Sequence, residues 1–429
     1  MRIFAVSTKT AVMLVVATAA LPRLVVMLVE RGNILTAYTE KSDNFASTFV
    51  SSGTFGFIPG IPSASTQPLY GWFLIPLYWI FGRHWLVVGL AQTAVATATA
   101  LLVYAIGRKV APRLAWPAAV VSTLHPYLIW HDVHVNREIV DQLVLAALVL
   151  AIIVAIERRS LPLVVLVGAL SGLAILGNGR LTALPLVVAA YVAWRLPAQR
   201  LLAIVAILVA AVVVVSPWVI RNKVQVGCFA ITTDGRALWK ANNVNTYGVL
   251  ARGGWIDDVP QAGLPPTAQD AYEHWLQTGE IEPVNECAQM RDFEHKTFVF
   301  WKKHPGEKAK LMAQSTALLW DPRSHETQGR SGKGTWRDTA RRVVEPLWAI
   351  PVYILAIAGV FLAWRAFAVL ALLLLAYNTA AAALFAGTTR YRVPFDFLLV
   401  LLGAAAVERL WSTRRYTDST PSTAAAAEN

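Results

Sequence analysis

The sequence predicts an all-α integral membrane protein: a bundle of about ten transmembrane helices, interfacial helices in the first outer loop, and a small mixed domain outside the membrane. Three observations carry that prediction. Hydrophobic residues make up 56% of the 429 and charged residues only 15%, against about 25% charged in a typical soluble domain. Many apolar runs approach the roughly 20 residues that a helix needs to cross the hydrocarbon core. Lys and Arg fall in alternate short loops, as membrane orientation requires. This composition excludes a cytosolic enzyme, a disordered chain and a disulfide-rich secreted domain.

In chain order the candidate spans are 10–29, 85–107, 115–130, 138–156, 161–177, 181–194, 200–218, 347–364, 366–386 and 393–410. The first run is long and lacks a clear small-residue cleavage site, so it reads as a retained span rather than a signal peptide. The stretch 68–82 (PLYGWFLIPLYWIFG) is apolar but reaches only about 22 Å as a helix. Its Trp and Tyr suit the membrane interface, where it is expected to lie. Four regions follow: 1–220, with its first outer loop at 30–84; an extracytoplasmic domain at 221–345; membrane helices at 346–411; and a low-complexity tail at 412–429, expected to be disordered.

With the N-terminus inside, the inside segments hold thirteen basic and four acidic residues. Both termini are therefore expected in the cytoplasm. The net charge of +12 follows from this orientation. The outer block 221–345 holds 17 basic and 15 acidic residues and no basic stripe, so nucleic acid is not an expected partner. Within it, 269–278 and 287–320 read as helices, and 227–241 is a candidate for short strands. Cys228 and Cys287 both lie in this block. An outside location permits a disulfide between them without establishing one.

Fifteen charged residues remain unexplained by orientation or by the outer block: Arg23, Arg31, Lys41, Arg83, Arg137, Arg180, Arg390, Arg392, Glu30, Glu40, Asp43, Asp132, Glu138, Asp141 and Asp396. On the assigned topology all of them lie at the outer face or within about two turns of it. Snorkelling to the headgroups explains Arg31 and Arg83. It does not explain Glu138 and Asp141, which sit at i and i+3 on one face at the start of an apolar helix. Charges at membrane depth are costly and usually face a polar cavity. A cavity lined by both signs suits chemistry on a phosphorylated, membrane-resident substrate. Guanidinium forks grip phosphate, and a carboxylate serves as general base for a hydroxyl. A nucleotide sugar is not normally available outside the membrane, so a lipid-linked sugar is the expected donor.

Ordered motifs then point to a family. They are the outer loop AYTEKSDNFASTFVSSGTFGF (37–57) with QPLYGWF (67–73), and HPYLIW (125–130) with REIVDQL (137–143). Next come SGLAILGNGRLTALPL (171–186), and PWVIRN (217–222) with KANNVNTYG (240–248). FWKKHPGEKAKLMAQSTALLW (300–320) and RYRVP (390–394) complete the series. Their order resembles the GT-C membrane glycosyltransferases, especially bacterial relatives of protein O-mannosyltransferases and of lipid A aminoarabinose transferase. The resemblance implies a GT-C-like helical bundle in a bacterial inner (plasma) membrane. It also implies inverting transfer from a polyprenyl-phosphate sugar on the periplasmic side. The sequence departs from the family pattern in two places. The early acids of the outer loop are Glu40 and Asp43 at a shifted spacing, and a Lys-Pro-Pro is reduced to Gln67-Pro68.

Glu40 and Asp43 stand as alternatives for the base, while Ser42-Asp43 equally suits a helix cap for 43–52. Arg390 and Arg392, which bracket Tyr391, are candidates for the donor phosphate, as are Arg180 and Arg221. Glu138, Asp141, His125, Asn242 and Asn243 are candidates for substrate contact. Glu138 and Asp141 also read as a buried ion pair with Arg137, and the two asparagines as turn formers. No metal ligand set is assigned: Asp-x-Asp is absent, and His125, His131 and His134 lack a zinc spacing. No cofactor is predicted, with a divalent cation left open at Glu138 and Asp141. The expected partners are a polyprenyl-phosphate sugar donor, a glycan, lipid or protein acceptor, and membrane lipids. A flippase of lipid-linked glycan is an alternative that predicts inverted repeats and broken helices, neither of which the sequence displays. A polymerase or ligase using a lipid-diphosphate donor stands beside it.

Overall fold

The computed structural model describes residues 6–37, 40–261, 264–324 and 336–418. From the N-terminus, α1 (Thr8–Val29) leads to the outer loop, which carries α2 (Lys41–Ser52) and α3 (Pro68–Phe81). Next come α4 (Trp85–Val110), α5 (Ala115–Thr123), α6 (Pro126–His131), α7 (Glu138–Arg158), α8 (Leu161–Gly177), α9 (Leu184–Arg195) and α10 (Arg200–Gln225). The outer block contains α11 (Gly235–Lys240), α12 (Thr246–Ala251), α13 (Ala268–Thr278), α14 (Glu286–Lys303) and α15 (Pro305–Trp320). The chain closes with α16 (Trp336–Leu362), α17 (Arg365–Leu384), α18 (Thr389–Arg392) and α19 (Asp396–Asp418).

Among the described residues, six helices are long and apolar enough to cross a membrane: α1, α4, α7, α10, α16 and α17. The shorter apolar helices α3 and α8 accompany them. The other expected spans are interrupted. The run 115–130 is two helices, because Pro126 has no N–H to continue α5 and the His125 side chain caps α6 by accepting from Tyr127 N at 3.1 Å. The run 181–194 opens with a 3-10 turn and leaves α9 only 12 residues. The run 393–410 likewise starts with a 3-10 turn before α19.

The core is centred on α7, where Ile139, Leu145, Leu148, Val149 and Ile152 are all buried. A helix that is apolar all round is stable only when other helices cover it, and α4 and α8 pack against this one. Its first turn therefore carries Glu138 and Asp141 into the interior. α8 in turn packs closely on α10: a Cβ at Gly168 would lie 2.5 Å from the carbonyl oxygen of Ile207. Small residues of this kind let membrane helices approach. The outer loop is fixed by aromatic edges, with Phe45 against Phe57 at 4.7 Å and Phe55 against Trp218 of α10 at 5.2 Å.

Among the described residues, 221–345 is helical rather than mixed. The stretch expected as strands makes single bonds instead: Thr233 N donates to Ala64 O at 2.8 Å, and the Asp234 side chain caps α11. The helix expected over 287–320 breaks at His304, where Pro305 starts α15. The helix expected over 43–52 begins at Lys41, with Glu40 as its N-cap residue. A Cys228–Cys287 disulfide joins the segment after α10 to α14. α19 runs to Asp418, into the expected tail, and 419–429 lie outside the described residues.

Candidate functional site

The structure sorts seven of the fifteen unexplained charges into pairs. Arg23 holds Asp132 at 2.6 Å, Lys41 holds Asp234 at 2.6 Å, and Arg83 holds Asp43 at 2.7 Å. Arg392 holds Asp396 at 3.1 Å. Six others, Glu40, Arg137, Glu138, Asp141, Arg180 and Arg390, form one cluster at the start of α7, built from the outer loop, the end of α8 and α18, while Glu30 accepts from Asn33 at 2.9 Å.

Arg390 lies at its centre. α18 is a single turn in which Thr388 Oγ1 accepts from Arg390 N at 3.4 Å. From it Arg390 donates through Nε to Glu138 Oε1 at 2.5 Å and through Nη2 to Glu40 Oε1. Arg137, just ahead of α7, donates from Nε to the same Glu138 oxygen at 3.4 Å and from Nη1 to Gln67 Oε1 at 2.8 Å. Asp141 stands one turn further along α7, where its Oδ2 accepts from Asn178 Nδ2 at 3.4 Å. Asn178 Oδ1 also accepts from Arg180 N at 3.2 Å and starts the turn that carries Arg180. The Arg180 guanidinium lies 4.0 Å from the centroid of the Tyr391 ring. Tyr377 and Asn378 of α17 hold the backbone of this pair: Tyr377 OH donates to Arg180 O at 2.8 Å and Asn378 Nδ2 to Tyr391 O at 3.0 Å.

Three guanidinium groups thus face three carboxylates. The balance is incomplete at the level of atoms. Glu138 Oε2, Asp141 Oδ1, and Nε and Nη2 of Arg180 are buried without a hydrogen-bond partner. Buried polar atoms are nearly always satisfied, because leaving one unpaired costs roughly 1–3 kcal/mol. Nε and Nη2 lie along one edge of a guanidinium, the edge that binds phosphate or carboxylate with two parallel bonds. Burial pulls the Arg180 pKa down to about 10, which leaves it charged at neutral pH. Burial alone would raise the Glu40 carboxyl, but Arg390 and Arg137 outweigh it and hold Glu40 below the ordinary glutamate value. Among the described residues no three His, Cys, Asp or Glu side chains converge as a metal-ligand set.

No family model and no curated protein matches the chain. Solved structures do resemble it. A crystal structure of ArnT from Cupriavidus metallidurans bound to undecaprenyl phosphate is 16% identical, over 96% of this chain and 80% of that one, with a TM-score of 0.43. The apo state of the same protein is 17% identical over the same shares, with a TM-score of 0.36. Neither superposition reaches 0.5, and the functional reading rests on this chain's own side chains.

Of the residues singled out from the sequence, the structure brings together Glu40, Glu138, Asp141, Arg180, Arg390 and Tyr391. It does not bring the others to the cluster. Asp43 is occupied by Arg83 and by Tyr78 OH at 2.7 Å. Arg392 is spent on Asp396 and on the carbonyls of Leu319 and Asp321. Arg221 binds the carbonyls of Ser63 and Phe55, each at 2.8 Å. His125 accepts from Tyr127 N through Nδ1, so its proton sits on Nε2 and is donated to Asp396 Oδ2 at 3.1 Å. Asn242 Oδ1 accepts from Lys308 and Trp301, and Asn243 bonds the backbone of its own turn. Gln67 and Asn178 are cluster residues that the sequence reading did not name as such, although both lie inside motifs that it quoted.

Proposed function

We propose that this chain is a membrane glycosyltransferase that moves a sugar from a polyprenyl-phosphate donor to an acceptor hydroxyl on the extracytoplasmic face of a bacterial inner membrane. The observation that carries the proposal is the unused Arg180 edge beside Arg390 in a buried cluster that also holds free carboxylate oxygens. Arg180 and Arg390 bind the phosphate of the donor. Glu40 accepts the proton of the acceptor hydroxyl, whose oxygen attacks the anomeric carbon from the opposite side. The bond from that carbon to the phosphate oxygen breaks, and polyprenyl phosphate leaves with the electron pair. Fixed guanidinium groups stabilise the charge that develops there. Glu138 and Asp141, each with one unpaired oxygen, are placed to accept hydrogen bonds from sugar hydroxyls. Six apolar helices hold the cluster in a membrane protein, and the basic loops expected inside support an outer position for it. The acceptor is a glycan, a lipid or a protein.

The test is turnover. Purified protein is incubated with a panel of polyprenyl-phosphate sugars, and release of polyprenyl phosphate is followed. Release with one sugar, lost in Arg180→Ala, supports the proposal. Movement of the lipid-linked sugar across a vesicle membrane without release points instead to a flippase.

A further inference from the structure

One guanidinium serves two carboxylates in the cluster. Arg390 donates from Nε to Glu138 at 2.5 Å and from Nη2 to Glu40. The two carboxylates are held very differently. Glu138 is buried in the first turn of α7 and is also bound by Arg137. Glu40 stands ahead of α2, and among the described residues its side-chain hydrogen bond goes to Arg390. A carboxylate in a charge-assisted bond to a cation is a weaker base than one released from it. An anionic phosphate competes for the same guanidinium edge.

We propose that Arg390 masks Glu40 in the empty enzyme, and that a phosphodiester entering the cluster takes over the Nη2 donor and frees Glu40 to act as base. The proposal rests on the donor reading above and adds an order of events to it, donor before acceptor. Glu138 is the positioning residue: it keeps its bond to Nε, so Arg390 stays in place while Nη2 changes partner. An acceptor that arrives first meets a base still engaged with a cation, which protects the site from idle proton transfer.

The exchange has a proton signature. Glu40 faces Arg390 on α18, Arg137 and Glu138 at the start of α7, Tyr70 on α3 and Lys41 on its own helix. Lys41 is turned to Asp234, and Asp141 and Arg180 complete the cluster. Burial opposes the ionised Glu40, and its cationic neighbours, Arg390 foremost, outweigh burial in the empty protein. Phosphate removes Arg390 and brings a negative charge of its own, so the carboxyl rises. The bound state then holds more protons than the free state. Binding takes up protons and tightens as pH falls through that window.

The experiment uses the full-length protein in detergent and a polyprenyl methyl phosphodiester, which has no sugar to transfer and no acidic proton in the working range. Affinity and proton uptake are measured by calorimetry in two buffers from about pH 4 to about pH 8. The wild type should take up protons on binding and bind more tightly at lower pH. Glu40→Gln should lose the uptake, flatten the pH dependence and tighten binding at neutral pH by about tenfold, as expected if Arg390 is clear of Glu40 about a tenth of the time. A wild-type affinity that is flat with pH and has no uptake, or uptake that survives in Glu40→Gln, overturns the mask and leaves the donor site standing. No binding by the wild type at any pH overturns the donor reading itself.

Discussion

Arg180 lies face-on to Tyr391, with its guanidinium carbon 4.0 Å from the ring centroid, while Nε and Nη2 along one edge stay unpaired. The ring face stabilises the cation from one side and leaves the fork for a ligand. Two sets of variants separate platform from fork. Arg180→Lys keeps the charge and loses the bidentate geometry, so polyprenyl phosphate should bind about tenfold more weakly, with about a hundredfold loss in Arg180→Ala. Tyr391→Phe keeps the platform and should change little, whereas Tyr391→Leu should cost about 1 kcal/mol. Calorimetry in detergent reads all four, and wild-type affinity in Arg180→Ala would remove the phosphate role.

Gly177 ends α8 directly against Asp141. A Cβ at Gly177 would lie 2.3 Å from Asp141 Oδ1 and 3.0 Å from Leu69 Cδ2. Gly177→Ala should therefore push the Asp141 carboxylate out of place and lower turnover, with the protein still folded by thermal unfolding. The loss should not add to that of Asp141→Asn, because both changes disable one carboxylate. Additive losses in the double variant would place the effect of Gly177 elsewhere.

The chemistry of the cluster was legible in the sequence because orientation rules leave Glu40, Glu138, Asp141, Arg180 and Arg390 without an ordinary job. Which charges meet was not legible. Arg390 and Arg392 share one short turn, and their spacing says nothing of the carbonyls of Leu319 and Asp321, about seventy residues away, that occupy Arg392. Asp43 was indistinguishable from Glu40 for the same reason: its partners Arg83 and Tyr78 lie about 35–40 residues on, at the far end of the same loop. Gln67 and Asn178 escaped notice because a neutral amide leaves no mark on a charge ledger.

The Cys228–Cys287 disulfide closes a loop across 59 residues and ties the segment after α10 to α14, and neither cysteine belongs to the cluster. Such a bond typically contributes roughly 2–4 kcal/mol. Replacing both cysteines by alanine should lower the thermal midpoint and leave turnover at permissive temperature close to that of the wild type. Thermal unfolding of the wild type with and without reductant should reproduce the difference. A midpoint unmoved by either treatment would mean that this bond does not hold the outer block together.

Glu40 and Asp43 are separated by their partners rather than by their chemistry. Asp43 is locked between Arg83 and Tyr78, whereas Glu40 faces the cluster through Arg390. Glu40→Gln should lower kcat by roughly 10²–10⁴, the usual contribution of a general base, and Asp43→Asn should retain most of the activity. The pH profile adds an independent check. The base works only when ionised, and in the free enzyme Arg390 and Arg137 outweigh burial to hold Glu40 below the ordinary glutamate value. The acid limb of kcat/KM for the donor, which reports the free enzyme, should therefore fall off below that value, with activity present above it and lost as pH drops through it. An inactive Asp43→Asn beside an active Glu40→Gln would move the base to Asp43 and require Arg83 to release it.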